Sequence, residues 1–261
     1  MVDWSNNDVL DLLSGHSDDA NIERIAFECL VHGLTDSRVQ SLMNILQWPS
    51  SYRCFALGGT PKEHAQSTEQ ALHQVIHDFG GTHALVGATD SFVILLACEE
   101  SAVRPEMVCT SVLDSFSSTH ALYLSSEREN LEGAALAIHE TMYSLQAAPA
   151  LQTLPRPLRG DDVLPERALL GDEVAREELY VNVYCVLQGD GSDAANFETV
   201  STFLHHGGSL EATAKELNVH PNTVRYRLKR TAETSGWDAT DPRDAYVLTT
   251  ALAIGRMRNR S

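Results

Sequence analysis

The chain has 261 residues, 43% hydrophobic and 21% charged, with a formal net charge of −17. That length holds one large domain or two ordinary ones, and that balance excludes a disordered polyelectrolyte and fits a folded soluble chain. The longest apolar run, Phe92 to Cys98, is far too short to cross a bilayer, and the N-terminus MVDWSNNDVL lacks the basic and apolar regions of a secretory signal. A cytoplasmic location without membrane attachment is therefore expected. The five cysteines (Cys29, Cys54, Cys98, Cys109 and Cys185) are scattered, form no CxxC pair and mostly sit in apolar runs. They read as free thiols in a reducing compartment, and neither a metal site nor a cofactor is expected.

In chain order, Asn21 to Trp48 reads as helical. Ile22, Ile25, Ala26, Cys29 and Leu30 fall at helical spacing, Gly33 breaks the pattern, and Val39, Leu42, Met43 and Leu46 resume it before Trp48-Pro49. The next hundred residues change character. Arg53–Leu57 is a short apolar strand ending at Gly58-Gly59, and Pro61 to Phe79 is a helix. Ala84–Ala88 and Phe92–Cys98 are strands around a tight Thr89-Asp90-Ser91 turn. Pro105–Phe116 is a helix, His120–Leu124 a strand and Leu131–Gln146 a helix. The order β-α-β-β-α-β-α predicts a ferredoxin-like α+β domain, with helices on one face of an antiparallel sheet. Pro155, Pro157 and Pro165 mark a connector, Glu173–Leu187 a helix, Gly189 to Asp193 a loop, and Ala194–His206 the opening of an all-α domain. The expected division is thus 1–50, an N-terminal helical segment; 51–150, the ferredoxin-like domain; 151–193, a connector and helix; and 194–261, the helical domain.

Charge is unevenly spread. From His205 to Ser261 there are nine Lys/Arg and six Asp/Glu, a net of +3; the totals of 19 and 36 leave ten and thirty elsewhere, a net of −20. An acidic body disfavours broad nucleic-acid binding and leaves the C-terminal segment as the phosphate-facing candidate. There, SLEATAKELNVHPNTVRYRLKRTAET reads as two helices joined by a turn. Ser209 is an N-cap, and Leu210, Ala214 and Leu217 form a buried stripe. Asn218 turns the corner in the left-handed region, and Pro221 occupies the first position of the second helix. Val224, Leu228 and Thr231 face the core, with Asn222, Tyr226, Lys229 and Glu233 opposite. In a helix-turn-helix the start of the second helix meets base edges, which makes Asn222, Thr223, Arg225 and Tyr226 candidate base readers, with Asn suited to adenine and Arg to guanine. Arg227, Lys229 and Arg230 are candidate phosphate contacts. The competing interpretation is a solvated cationic face on an ordinary helical domain. Asp241-Pro242 opens a last helix, whose trailing Arg256, Arg258 and Arg260 either complement its dipole or touch DNA.

The run HPNTVRYRLKR, followed by ETSGWDATDPRDAYVLTTAL, resembles the C-terminal helix-turn-helix of PucR/CdaR-type transcriptional regulators, continuously from about Phe197 to Arg258. The preceding β-α-β-β-α-β-α segment is similar to the degenerate GGDEF-like domain of the same family. The connector DDVLPERALLGDEVAREEL resembles an actinobacterial branch that regulates fatty-acid or polyketide synthase expression. The resemblance implies double-stranded DNA as partner, a homodimer, and a small-molecule effector of unassigned identity. Relatives often carry a sensory region ahead of the GGDEF-like domain, whereas about 50 residues precede it here. A working cyclase of this topology needs carboxylates holding two metal ions over a triphosphate. The first strand offers none and the hairpin only Asp90, so no enzyme and no catalytic residue is expected. The alternative to a sequence-specific regulator is a ligand-sensing or protein-interaction module with a vestigial helix-turn-helix.

Overall fold

The computed structural model describes residues 19–89, 91–189 and 194–259. Asp190 to Asp193 of the expected Gly189–Asp193 loop, the hairpin residue Asp90 and the trailing Arg260 lie outside them. The chain divides into two compact units, Met1–Val163 and Leu164–Ser261.

The first unit opens with helices α1 (Asp19–Val31) and α2 (Ser37–Ile45), then strand β1 (Arg53–Gly59), α3 (Ala65–Asp78), β2 (Ala84–Ala88), β3 (Val93–Cys98), α4 (Pro105–Ser111), β4 (Leu122–Leu124), β5 (Arg128–Glu129) and α5 (Asn130–Ala147). The sheet is antiparallel in the order β2-β3-β1-β4, the ferredoxin-like order, with β5 pairing the start of β1. Ser125 bridges β4 to β5 by exchanging hydrogen bonds with Ala56: its N–H donates to the Ala56 carbonyl, and its Oγ accepts from the Ala56 N–H. Beyond β4, Leu158 adds a parallel bridge, accepting from Leu124 N and donating to Leu122 O.

Helices cover both faces of this sheet, not one. Cys54, Ala56, Ile94 and Leu96 pack against Phe27, Leu30, Met43 and Ile138 of α1, α2 and α5. Phe55, Leu57, Leu95 and Ala97 pack against Leu72, Ile76 and Val108 of α3 and α4. Both parities of β1 and β3 are apolar, so neither face can be left to water. The helix α1 gains its seat through Gly87 of β2, where a Cβ would fall on the Phe27 ring. Gly58 and Gly59 are likewise packing positions within β1: a Cβ there would crowd Thr141 and Ile94, or Ala121 O and Phe116. A carboxylate is among the polar groups buried inside this unit. Glu140 accepts from Tyr123 Oη at 2.5 Å and from Arg128 Nη2 at 2.6 Å.

The second unit is helical: α6 (Leu164–Leu170), α7 (Glu173–Glu178), a π-helical stretch (Leu179–Cys185), α8 (Val186–Gln188), α9 (Ala194–His205), α10 (Leu210–Glu216), α11 (Pro221–Ser235) and α12 (Pro242–Arg258). Residues 151–193, expected as connector and helix, therefore fall on both sides of the division. Leu164, Ala168, Leu179 and Val183 share one core with Phe203, Val224, Leu248 and Leu252. The single helix expected over Glu173–Leu187 is interrupted by its π-helical turn, and Tyr184 of that turn packs where a Cβ on Gly255 would otherwise sit. Two ion pairs lock α6 in place. Arg167, fully buried, meets Asp172 at 2.8 Å, while Asp172 also caps α7 by accepting from Val174 N and Ala175 N. Glu166 takes both Nη atoms of Arg243 at 2.5 and 2.7 Å, which fixes the start of α12. Among the described residues no helix is long and apolar enough to cross a membrane, and no group of three or more His, Cys, Asp and Glu is placed to hold a metal ion.

Candidate nucleic-acid interface

The helix-turn-helix is built from local chemistry. Ser209 caps α10 by accepting from Ala212 N at 3.3 Å, and its carbonyl takes the Thr213 hydroxyl at 2.7 Å. The helix closes with Val219 N donating to Ala214 O, and Asn218 turns the chain at φ +51°. Asn tolerates this left-handed conformation better than most side chains. Pro221 opens α11 where its missing N–H is not needed. The cap itself is His220, whose Nδ1 accepts from Asn222 N at 3.2 Å. Sequence reasoning missed that role, because histidine is not among the usual capping residues.

The faces of α11 follow the 3.6-residue period. Val224, Leu228 and Thr231 are buried. Asn222, Arg225, Tyr226, Lys229 and Arg230 are exposed, Tyr226 by 63%, a large value for an aromatic side chain held on a helix. Thr223 and Arg227 are half-buried flanks. The candidate residues thus separate into two sets. On the open face, Arg225 Nη1 donates to Asn222 Oδ1 at 2.8 Å, and Lys229 stands 3.8 Å from Glu233 with its side chain 79% exposed. Arg227 turns the other way and donates Nη1 to Thr199 Oγ1 at 3.2 Å, joining α11 to α9. Thr199 in turn donates to Ala195 O. On this geometry Arg227 holds the recognition helix on its scaffold.

Two further contacts steady the motif. His206 Nε2 lies 2.6 Å from Glu216, linking the end of α9 to the end of α10. The last helix, α12, is capped by Asp241, which accepts from Arg243 N and Asp244 N, as its sequence predicts. Of the trailing arginines, Arg256 Nε donates to Leu252 O at 3.2 Å. Arg258 pairs with Glu177 at 2.7 Å and lies over the Tyr180 ring. Both serve the helical unit's own structure. Leu252 lies one helical turn from Arg256, whereas the Arg258 partners, like Thr199 for Arg227, are remote in sequence and carry no local signal.

This geometry defines a two-part protein: an antiparallel α+β unit, and a helical unit whose helix-turn-helix exposes a basic, aromatic-bearing second helix. A PucR C-terminal helix-turn-helix domain matches residues 197–254, and a GGDEF-like domain matches residues 32–147. A crystal structure described as a regulator of polyketide synthase expression from Bifidobacterium adolescentis is 62% identical. It has a TM-score of 0.93, and the match covers 97% of this chain and 99% of that one. The chain belongs to the PucR-type transcriptional regulators that carry a GGDEF-like domain ahead of the helix-turn-helix. Uncharacterised proteins of Mycobacterium tuberculosis and Mycobacterium bovis are each 31% identical over 246 residues, which is 92% of this chain. The chain spans 59% of the length of those mycobacterial relatives.

Proposed function

We propose that the chain is a sequence-specific transcriptional regulator that binds double-stranded DNA as a cytoplasmic homodimer. The observation that carries this reading is the open face of α11, where Asn222, Arg225, Tyr226 and Lys229 stand exposed on a helix-turn-helix of the PucR type. By residue type the candidate base readers are Asn222, Thr223, Arg225 and Tyr226, with Lys229 and Arg230 meeting phosphate. A single such motif makes few base contacts, and two copies on a two-fold site multiply them; this argues for the dimer. By analogy with the Bifidobacterium relative, the regulated genes encode a polyketide synthase, and the resemblance of the connector to the actinobacterial branch extends the candidates to fatty-acid synthase genes. The GGDEF-like unit acts without catalysis: β1 brings Phe55 and Leu57 to the sheet where metal-binding carboxylates are required, and Gly58 and Gly59 are filled by neighbouring side chains.

Genome-wide mapping of bound DNA tests the reading directly. Enrichment of one motif upstream of synthase genes is the expected result. Enrichment elsewhere would move the regulon but keep the function, whereas no enriched motif would remove DNA recognition from the account. Incubation with GTP or ATP and Mg²⁺ should yield no cyclic product, and robust turnover would reinstate an enzyme.

A further inference from the structure

Asn222 and Arg225 share the exposed face of α11, three residues apart, and the hydrogen bond between them joins their roles. A free Arg side chain surrenders rotamer entropy when it is fixed against a ligand. Holding its guanidinium in place before the ligand arrives removes part of that cost. The bond to Asn222 uses Nη1, which leaves the Nε–Nη2 edge as the fork that can donate to the O6 and N7 acceptors of a guanine. The same bond draws on Asn222 Oδ1. Adenine readout by asparagine needs that oxygen to accept from the base's N6 amine while Nδ2 donates to N7. An Oδ1 turned along the helix surface toward Arg225 is poorly placed for it. Residue type alone assigns adenine to Asn222, and the geometry points elsewhere.

We propose that Asn222 is a positioning residue that presets the Arg225 guanidinium, and that the operator carries a guanine where Arg225 meets it, with no base read by Asn222 itself. This rests on the DNA-binding function proposed above. The two are tested together by selecting sites from a random duplex library with the full chain. The same selection is then run with Arg225→Ala, Asn222→Ala, Asn222→Asp and the double alanine variant. The wild type should enrich a half-site with an invariant guanine, and 7-deazaguanine there should weaken binding about ten- to a hundredfold. Arg225→Ala and Asn222→Ala should relax the same base pair, and the double variant should add little to either. Asn222→Asp keeps the acceptor for Arg225. It should therefore retain the guanine preference while its added negative charge lowers affinity for all sequences evenly.

An adenine preference lost in both Asn222 variants, with the guanine preference intact, would overturn the proposal. So would an even loss of affinity in Asn222→Ala with every base preference preserved. A wild-type selection that enriches no sequence would overturn the DNA-binding reading along with it.

Discussion

At the residue scale, one carboxylate and one buried ion pair set the clearest expectations. Asp36 caps α2, and its carboxyl is held down to about 2, first by the Arg38 side chain and then by the Arg38 and Val39 amides. A carboxylate whose folded value lies below its unfolded one contributes stability above the unfolded value of 3.8, and that contribution is lost as pH falls through about 2. Carbon-detected titration of the Asp36 carboxyl should therefore show a midpoint near 2; one near 4 would mean the cap and the Arg38 pair are absent in solution. The buried Arg167–Asp172 pair carries a larger effect. Asp172→Ala takes the nearer carboxylate from a fully buried guanidinium, leaving Glu178 at 3.8 Å, and at the same time removes the α7 cap. It should cost about 3–5 kcal/mol of stability, read from urea unfolding. Joint replacement of both by apolar residues of similar volume should cost much less, because a buried ion pair is partly offset by its own desolvation.

At the scale of elements, the turn between α10 and α11 decides how the recognition helix is presented. Asn218 sits at φ +51°, a conformation that glycine adopts without strain and alanine does not. Asn218→Ala should destabilise the second unit by about 1 kcal/mol, and Asn218→Gly should be nearly neutral; equal losses would show that the Asn side chain, not the backbone, is what the turn needs. Much of this element was legible beforehand. Pro221 and Asn218 announce their own backbone conformations, and the period of Val224, Leu228 and Thr231 fixes which face of α11 is buried. For Arg227, a candidate phosphate contact by residue type, the bond to Thr199 was illegible, because that anchor lies 28 residues away and leaves no periodic trace. The Arg243–Glu166 pair spans 77 residues and was invisible for the same reason. The strands show the complementary failure. Alternation normally tells a covered face from a wet one, but β1 from Cys54 onward and all of β3 carry no polar side chain, so the sequence could not reveal that helices cover both sides.

At the scale of the whole molecule, charge and assembly govern binding. The segment from His205 onward carries a net of +3 against −20 for the rest, so the attraction to DNA is local to a few side chains. Each phosphate neutralised contributes about −0.9 to the slope of log K against log salt. Lys229→Ala should flatten that slope by about 1 for each half-site engaged, with sequence preference unchanged; an unaltered slope would take Lys229 off the phosphate backbone. Light scattering at micromolar concentration should return twice the 28.6 kDa chain mass, and a monomer mass would remove the two-fold operator from the reading. The order in which the chain is made adds a further consequence. The outer edge of β4 is satisfied by Leu158, which belongs to no helix or strand and lies beyond residue 147, where the GGDEF-like match ends. A nascent or clipped chain that stops short of Leu158 would present Leu122 and Leu124 with unpaired backbone groups, an invitation to sticky association. Maturation of the first unit is complete only when its last, least regular residues have emerged.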